Sequence, residues 1–487
     1  MNAPASAPAS APVRYRLLAD QLAEAIDRGS LPAGARLPSV RACAAQHELS
    51  LNTVTAAYRL LEDRGLIEAR PQSGYYVRSS LPPLQRPLRE QPAGVRKAGE
   101  IEDLMAVVLQ CQQRADHVDL ALACPRGEAF YPGAKLARLT AGLLRRQPQL
   151  VARYALPPGS QRLREQIARR AALLGMTLAA DDIVLTHGAM EALQLALRAV
   201  TRAGDTVGIE APSYFNLYPL LASLGLKVLE IPTHPQHGLA LDALELLLEE
   251  KRLAAIIAMP TVHNPLGCSM PVAAKQRLAE LANRHRVPLI EDALYAELQF
   301  AEPLQPTVKA FDRDGWVMTC ASYTKTLAPD YRIGWLEAGR FRDAVRQLKF
   351  SSSVAESVLL AETVGLFLEN GGYDHHLRVL RRRYAAQVDA VRGIVARHFP
   401  AGTRATQPVG GFLLWLELPE TVDSLELFHA ALAERIVIIP GQLYSNGARF
   451  RHCLRLSCCQ ELDERVTGAL RRLGELATAL AAGASAP

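Results

Sequence analysis

The stretch WVMTCASYTKTLAPDYRIGW, residues 316–335, joins a short apolar run to a lysine with hydroxyl and basic neighbours. The apolar run is typical of a buried strand, and Lys325 follows its end, with Ser322, Thr324 and Arg332 nearby. Such a lysine either clamps a phosphate group or is an amine of lowered pKa that forms a Schiff base. This stretch alone leaves both interpretations open.

Similar apolar runs precede this stretch, and amphipathic helical segments separate them. Four of them are DIVLTHG (182–188), TVGIEAP (206–212), AAIIAMP (254–260) and VPLIEDA (287–293). Short apolar runs that alternate with helices predict an α/β domain with a parallel or mixed sheet, which we place at residues 101–480. Within it, GGFLLWLEL at residues 410–418 predicts a strand of a small C-terminal α+β subdomain.

The bulk composition is that of a globular protein with more than one domain. Of its 487 residues, 49% are hydrophobic and 21% are charged, and such a length predicts about two to four domains. The net charge of +6 is too mild to argue for a nucleic-acid partner. No apolar run is long enough to span a bilayer, and the start MNAPASAPASAP lacks the regions of a signal peptide, so we expect no membrane partner.

The eight cysteines are scattered along the chain. None forms a C-x-x-C pair, and no Cys/His cluster has the spacing of a zinc site. Scattered cysteines in a large chain are typical of reduced thiols. We therefore expect a cytoplasmic protein without a bound metal.

Composition also predicts the domain boundaries. Residues 1–13 and 481–487 have the composition of disordered tails, and residues 14–80 form a compact unit with several arginines. Residues 81–100 carry four prolines and mixed charge, which predicts a semi-extended linker to the large domain.

Residues 14–80 predict three helices followed by a hairpin. Ser39 and Ser50 are the expected N-caps of the second and third helices, and LIEARPQSGYYV (66–77) predicts two short strands around a turn that ends at Gly74. In the third helix the apolar stripe expected to be buried is Val54, Ala57, Tyr58 and Leu61.

This unit has two interpretations. Two helices joined by a few residues, with Asn52, Thr53 and Thr55 at the start of the second, have the geometry that places a helix in the major groove of DNA. In that case the hairpin is a wing whose Arg70 and backbone amides near Gly74 face phosphates. Alternatively, the unit is a three-helix bundle with a hairpin that docks on the large domain.

Polar residues follow the predicted strands of the large domain, and each alone is a weak signal. Gly188 opens a helix whose backbone amides can bind a phosphate, although glycine precedes helices in most α/β proteins. Tyr214 is either a stacking aromatic or core, and Asn264 is either a donor or part of an ordinary turn. Asp292 and Tyr295 lie at the predicted mouth of the sheet, where ligands bind.

Together these residues fit one cofactor. Pyridoxal 5'-phosphate requires a lysine Schiff base, an acid for its pyridine nitrogen, donors to its phenolate oxygen, a stacking aromatic and a phosphate cup. The sequence supplies each part, mostly at predicted strand ends. We therefore expect pyridoxal 5'-phosphate as the cofactor.

The N-terminal unit resembles the winged helix-turn-helix of the GntR family from Leu31 to Val77. The matching positions are Leu31, Pro32, Gly34, Arg36, Leu37, Pro38, Ser39, Arg41, Ser50, Thr53, Val54, Tyr58, Leu61, Gly65, Leu66 and Gly74. This resemblance implies that Arg36 and Arg41 contact phosphates or the groove and that Thr53 heads the recognition helix. The predicted DNA-binding residues are Arg36, Ser39, Arg41, Ser50, Asn52, Thr53, Thr55 and Gly74.

One position departs from the family pattern. The residue after Ser50 is often arginine in this family, and here it is Leu51. A leucine cannot make a bidentate contact to guanine. We expect base specificity to depend instead on Asn52, Thr55 and the wing.

From Ile101 to about Leu480 the chain resembles the fold type I aminotransferases, whose sheet is mixed and mostly parallel. The resemblance implies that Lys325 carries the internal aldimine, Asp292 holds the pyridine nitrogen protonated, and Tyr214 stacks on the ring. Tyr295 and Asn264 then bind the phenolate oxygen. The implied phosphate contacts are Gly188, Ala189, Met190, Ser322 and Arg332.

The same resemblance extends to two further residues. Tyr154 matches a tyrosine that reaches the phosphate in the partner subunit, which implies a homodimer. Arg455 matches the arginine that binds a substrate α-carboxylate as a bidentate pair.

Both domains in one chain resemble the MocR group of bacterial transcription regulators. This resemblance implies a regulator that binds operator DNA and senses an amino acid, amine or vitamer through the Lys325 aldimine. The alternative is an aminotransferase for an α-amino acid with an accessory DNA-binding module, because all the catalytic parts are present. The sequence leaves residual aminotransferase activity open.

Overall fold

The computed structural model describes residues 14–27, 30–31, 35–63, 66–70, 74–77, 100–112, 114, 116–370, 372–447 and 449–483. The chain divides into two compact units, residues 1–83 and 84–487. The predicted tail at residues 1–13, linker residues 81–99 and residues 484–487 lie outside the described residues.

The N-terminal unit consists of three helices and a two-stranded antiparallel sheet. Its elements are α1 (Arg14–Asp27), α2 (Val40–Gln46), α3 (Leu51–Asp63), β1 (Ile67–Arg70) and β2 (Gly74–Val77). Both expected N-caps are confirmed, since Ser39 Oγ accepts from Ala42 N–H at 3.2 Å and Ser50 Oγ accepts from Thr53 N–H at 3.1 Å.

The core of this unit forms on the apolar stripe of α3. Val54, Ala57, Tyr58 and Leu61 are all fully buried, as the helical spacing predicts. The Tyr58 hydroxyl donates to the carbonyl of Pro38 at 2.8 Å, which ties α3 to the segment before α2.

The second unit is a larger α/β structure. Its helices are α4 (Glu100–Gln112), α5 (Gly133–Arg146), α6 (Gln161–Ala171), α7 (Ala189–Val200), α8 (Leu217–Ser223), α9 (Leu241–Glu249), α10 (Val272–His285), α11 (Arg342–Ser352), α12 (Val358–Glu369), α13 (Gly372–His398), α14 (Ser424–Ala433) and α15 (Glu464–Gly483). Thus α4 begins at the last residue of the predicted linker, and α15 continues past the predicted domain end at residue 480.

An eight-stranded sheet forms the centre of this unit. The strands of the unit are β3 (Val118–Asp119), β4 (Ile183–Thr186), β5 (Thr206–Ala211), β6 (Lys227–His234), β7 (Gly238–Leu239), β8 (Ala255–Ala258), β9 (Leu289–Asp292), β10 (Val317–Ser322), β11 (Gly334–Glu337), β12 (Arg404–Ala405), β13 (Leu413–Glu417), β14 (Ile436–Val437), β15 (Ile439–Pro440) and β16 (Cys453–Ser457). The order in the large sheet is β4-β11-β10-β9-β8-β5-β6-β7, in which β11 and β7 run antiparallel to the other strands.

All five apolar runs that predicted a mixed, mostly parallel sheet are strands of it: β4, β5, β8, β9 and β10. Their residues are almost entirely buried, because helices cover a sheet of this kind on both faces. The carboxyl ends of parallel strands meet at one edge of the sheet. The polar residues that follow these strands therefore converge there.

A smaller antiparallel sheet follows, in the order β12-β13-β16-β15. Helix α13 leads into it and contributes to two cores. Its first half packs with residues of the large sheet domain, and its second half packs with residues of the small sheet. Within the described ranges, every helix is too short or too polar to cross a membrane.

Candidate functional site

A cavity of about 140 Å³ lies at the carboxyl ends of the parallel strands. Eight of the predicted cofactor residues line it: Ala189, Met190, Tyr214, Asn264, Asp292, Tyr295, Lys325 and Arg332. The lining also includes Ala123, Leu193, Met259, Leu294 and Thr324, which we did not predict as site residues. The apolar residues among these carry no sequence signal that separates them from core.

Lys325 extends from the loop after β10 into this cavity. Burial lowers the pKa of its amine; Cys124 and Cys459 oppose this shift, and the positive charges of Arg455 and Arg332 add to it. A lowered pKa favours the neutral amine, which is the form that attacks a carbonyl carbon. The surroundings of Lys325 therefore fit a Schiff-base lysine better than a phosphate clamp.

Asp292 ends β9 and is 7% exposed. Burial raises the pKa of its carboxyl to about 7, with a further rise from Glu210 and Glu291, while the backbone N–H of Leu294, 3.0 Å from Oδ1, opposes the rise. A buried carboxyl with a raised pKa gains most from a cationic or hydrogen-bonded partner. The ring nitrogen of pyridoxal phosphate is such a partner, so Asp292 fits its predicted role.

A buried His263–Glu210 pair contributes to the charge around Asp292, and we did not predict it. His263 Nε2 lies 3.2 Å from Glu210 Oε2, and both side chains are 2% exposed. Glu210 also accepts from Met259 N–H at 2.6 Å. The available sequence signal was a glutamate inside the apolar run of β5, since a buried carboxylate needs a partner.

The turn between β4 and α7 forms one end of the cavity. Gly188 adopts a φ of +80° and caps α7, whose first residues are Ala189 and Met190. A Cβ at Gly188 would lie 2.7 Å from Nη2 of Arg332, so the guanidinium packs directly against the turn. A guanidinium beside the amino end of a helix provides the donors and positive charge that a phosphate requires.

Ser322 does not line the cavity. Its hydroxyl lies 2.9 Å from the carbonyl of Ile333, and it accepts from Thr324 N–H at 3.1 Å. In this arrangement Ser322 holds the loop that carries Lys325. Its predicted contact with the phosphate requires a rotation of the hydroxyl.

Beside this turn lies a charged cluster with Lys349 at its centre. The Lys349 ammonium is 2.8 Å from Glu191 Oε2 and also donates to Glu356 and approaches His187. His187, Glu191 and Glu356 have ligand atoms within 4.8 Å of one another. Because Lys349 already supplies the positive charge, we assign no metal to this cluster.

Arg455 lies on β16 and is 1% exposed. Its Nη1 donates to Asn264 Oδ1 at 3.4 Å, and its Nη2 donates to the carbonyl of Ala121. Its Nε is buried without a partner among the described residues. Because Arg455 occupies the carbonyl oxygen of Asn264, the amide N–H of Asn264 is the group left to bind an acceptor such as the phenolic oxygen.

Tyr154 is the one predicted cofactor contact that the chain does not bring near the cavity. Its side chain is 77% exposed and lines a separate cleft with Arg153, Leu156 and Arg164. Within one protomer it therefore does not reach the cavity that Lys325 lines.

Six of the eight predicted DNA-binding residues are exposed, and the other two, Thr53 and Thr55, are half-buried. Arg36, Arg41 and Asn52 are exposed. The Arg36 guanidinium lies beside the wing, since a Cβ at Gly74 would be 3.5 Å from its Nε. Backbone hydrogen bonds from Leu37 N–H and Val77 N–H attach the segment around Arg36 to the wing.

Hydroxyl groups at the start of α3 are engaged locally. Ser50 Oγ and Thr53 Oγ1 are 2.8 Å apart, and the Thr55 hydroxyl donates to the carbonyl of Leu51 at 2.9 Å. Leu51 itself is 50% exposed. The exposed side chains at the head of this helix are thus one amide, Asn52, and one apolar group, and the side chain of Arg70 lies outside the described residues.

Comparison with protein families matches both units. Residues 14–77 match the model of the bacterial regulatory proteins of the gntR family, and residues 130–473 match that of the class I and II aminotransferases.

Two curated relatives match almost from end to end. These are the uncharacterized HTH-type transcriptional regulators YjiR and YdcR of Escherichia coli K12. They are 36% and 38% identical to the chain, and each alignment covers 95% of it and 98% of the relative.

Among solved structures, the α-aminoadipate aminotransferase LysN of Thermus thermophilus matches 78% of the chain and 99% of its own. The TM-score is 0.71 at 26% identity, and that structure holds N-(5'-phosphopyridoxyl)-L-leucine.

Proposed function

This chain belongs to the GntR-family regulators that carry a class I and II aminotransferase domain, and it is a pyridoxal-phosphate-dependent transcription regulator. We propose that it senses an amino acid or amine at Lys325. The observation that carries the proposal is that Lys325, Asp292 and Arg332, the last packed against Gly188, converge on one cavity at the carboxyl ends of the parallel strands.

When bound, pyridoxal phosphate supplies an aldehyde carbon that exchanges amines and a ring that accepts electrons. The neutral amine of Lys325 would be the point of attachment for this carbon, and the cavity around it would admit an incoming amine. Asp292 would hold a proton at the ring nitrogen, and Asn264 and Tyr295 would donate to the phenolic oxygen. Tyr214 would stack on the ring, and the α7 amides with Arg332 would hold the phosphate.

Arg455 supports an effector with a carboxylate. Its guanidinium is buried, and its Nε has no partner among the residues described here. An α-carboxylate would satisfy this nitrogen and complete a bidentate pair. The phosphopyridoxyl-leucine in LysN is an amino acid joined to the same cofactor, which supports this choice.

A regulator also needs two states that differ in effector affinity. An effector shifts the equilibrium only by its differential affinity for the two states. We propose a homodimer, in which Tyr154 of one protomer acts at the cofactor of its partner. Effector binding at Lys325 then changes how the paired winged helices engage operator DNA.

The second candidate function is an aminotransferase, which the eight predicted cofactor residues around the cavity, with Arg455 bonded to Asn264, favour. The two functions differ in the second half-reaction. An enzyme returns the aminated cofactor to its starting form with a 2-oxo acid at a useful rate, whereas a sensor does not need to.

Fluorescence anisotropy on the DNA upstream of the chain's own gene tests the regulator. We expect saturable binding at one stated salt concentration that exceeds binding to a scrambled duplex and shifts when pyridoxal phosphate or an amino acid is added. The Lys325→Ala variant should bind DNA without this shift. Equal binding to both duplexes at every cofactor loading, with rapid turnover of a 2-oxo acid, would move the aminotransferase to first place.

A further inference from the structure

Two side chains of α13 hold the residue next to Lys325. The Tyr373 hydroxyl lies 2.8 Å from Thr326 Oγ1, and His376 Nε2 lies 2.7 Å from the carbonyl of Thr326. Because a carbonyl only accepts, Nε2 of His376 carries the hydrogen. Tyr373 is fully buried and Thr326 is 2% exposed, so water does not compete for these bonds.

The same tyrosine is tied to the loop after β9. Its hydroxyl lies 3.0 Å from Glu297 Oε2, while Arg170 donates to Glu297 Oε1 at 2.8 and 2.6 Å. A carboxylate accepts only, so the Tyr373 hydroxyl satisfies both contacts when it donates to Glu297 and accepts from Thr326. Glu297 follows Tyr295 by two residues, so one hydroxyl connects the two loops that form the cavity.

Helix α13 also reaches the sheet that carries Arg455. Val388, Val391 and Ile394 pack in one apolar core with Leu454 and Leu456, the neighbours of Arg455 on β16. The first half of α13, including Tyr373, packs instead in the core with Tyr295 and Tyr323. One continuous helix thus links the arginine of the small sheet to the lysine of the large one.

We infer that Tyr373 and His376 are positioning residues for Lys325, through which α13 couples the Arg455 sheet to the cofactor lysine. The inference rests on the proposed function of Lys325. A hydrogen-bonded Thr326 keeps the Lys325 loop closed against water and fixes where its amine stands. A shift of α13 that follows carboxylate binding at Arg455 would be transmitted to the loop by these two hydrogen bonds.

The test measures the rate at which cofactor-free protein captures pyridoxal phosphate, as a function of pH, in the full-length chain. The midpoint of this profile reports the amine of Lys325. The charged and titratable groups that face it are Cys124, Cys459, Arg455, Arg332, Asp292 and Tyr295, and none of them is altered. Since burial lowers the pKa of Lys325, a loosened and wetter loop should raise the midpoint.

The informative variants are Tyr373→Phe, which removes only the hydroxyl, and His376→Leu, which removes the donor. We expect each to raise the midpoint by about one pH unit, as partial loss of desolvation does. His376→Gln retains a donor and should leave the midpoint near that of the wild type. Tyr384→Phe is the matched control, because this buried tyrosine also lies on α13 and its hydroxyl has no partner among the described residues.

The outcomes separate the inference from the function on which it rests. If Lys325→Ala still captures the cofactor covalently, the proposed function fails. A second outcome overturns only the inference. In it, Lys325→Ala no longer captures the cofactor, but the pH midpoints of Tyr373→Phe and His376→Leu both equal that of the control Tyr384→Phe. Should Tyr373→Phe fail to fold, the contrast between His376→Leu and His376→Gln decides, and equal midpoints in those two contradict the inference.

Discussion

Lys325 differs from the other lysines of the chain in its access to a ligand cavity, and not simply in burial. Lys275 is fully buried, whereas Lys325 is half-buried; burial lowers the pKa of Lys275 to about 8, and its ammonium donates to the carbonyl of Pro306 at 2.8 Å. Only Lys325 of the two lines the cavity at the sheet edge. A lowered pKa is thus necessary for a reactive amine but does not identify it.

This contrast gives a matched test of the attachment residue. Lys325→Ala should lose all the cofactor that otherwise stays bound through borohydride reduction and dialysis, because Lys325 is the only lysine among the described residues that line the cavity. Lys275→Met should keep it. Mass spectrometry of the reduced protein detects the added group. Retention of a covalent pyridoxyl group in Lys325→Ala would show that a different lysine carries the cofactor.

The raised pKa of Asp292 has a consequence for stability without cofactor. Between the ordinary value of 3.8 and the folded value of about 7, the folded protein binds a proton that the unfolded chain has released. The unfolding free energy therefore falls as pH rises through this window and levels off above it. Each pKa unit is worth about 1.4 kcal/mol, which gives an upper limit of about 4 kcal/mol.

Asp292→Asn removes the pH-dependent contribution of this carboxyl to the unfolding free energy. In cofactor-free protein the variant should gain stability relative to the wild type as pH rises from about 4 to about 7, with no further gain above. Urea unfolding at several pH values measures the difference. A constant difference across this range would contradict a protonated, buried Asp292.

At the scale of elements, the start of α7 depends on glycine. Gly188 combines a φ of +80° with a Cβ position 2.7 Å from Arg332 Nη2. L-residues rarely adopt this conformation, and a side chain here would displace the guanidinium. The turn therefore positions the helix amides and Arg332 together.

We expect Gly188→Ala to weaken pyridoxal phosphate binding by about tenfold or more, through strain and the displaced guanidinium. Equilibrium titration of cofactor-free protein measures the dissociation constant. Gly133→Ala is the control, since Gly133 also begins a helix but has no atom within 4 Å of an added Cβ. Equal affinities of the two variants would exclude this turn from the phosphate site.

Arg41 is exposed in the first turn of α2, two residues after the N-cap Ser39. If it contacts a phosphate, Arg41→Ala should weaken binding to every duplex and lower the salt slope of log K by about one. Anisotropy at several salt concentrations gives the slope, with exposed Arg198 of the large unit as the control substitution. Loss of sequence discrimination at an unchanged slope would make Arg41 a base-reading residue instead.

At the scale of the whole molecule, the cavity lacks the contact predicted for Tyr154. This side chain is 77% exposed and lies in another cleft, so its predicted role requires a second copy of the chain. In a twofold dimer, each protomer offers the same surface to its partner.

Mixed dimers test this arrangement. Tyr154→Ala and Lys325→Ala should each impair cofactor retention alone. Co-expressed with different tags and purified as a heterodimer, they should regain one intact site, because the Tyr154→Ala protomer keeps Lys325 and receives Tyr154 from its partner. If the mixed dimer retains no more cofactor than the separate variants, Tyr154 does not act between subunits.

Much of the fold and part of the candidate site follow from local sequence. The five apolar runs became β4, β5, β8, β9 and β10, since buried strands and amphipathic helices leave a periodic signal along the chain. The placement of Lys325, Asp292 and Asn264 around one cavity was predictable because each lies at or after the end of such a run, and the carboxyl ends of parallel strands meet at one edge. Ser39 and Ser50 were predictable as caps for the same local reason.

The tertiary structure alone decided the contacts between residues that are distant in sequence. His263, in the loop after β8, pairs with Glu210 of β5, and Tyr373 reaches Thr326 from a helix that begins well after it. The hydroxyl of Ser322 donates to the carbonyl of Ile333, whereas the resemblance to the aminotransferases implied a phosphate contact. Periodicity reports which face of an element is buried, but not which partner it meets, because that depends on how the elements pack.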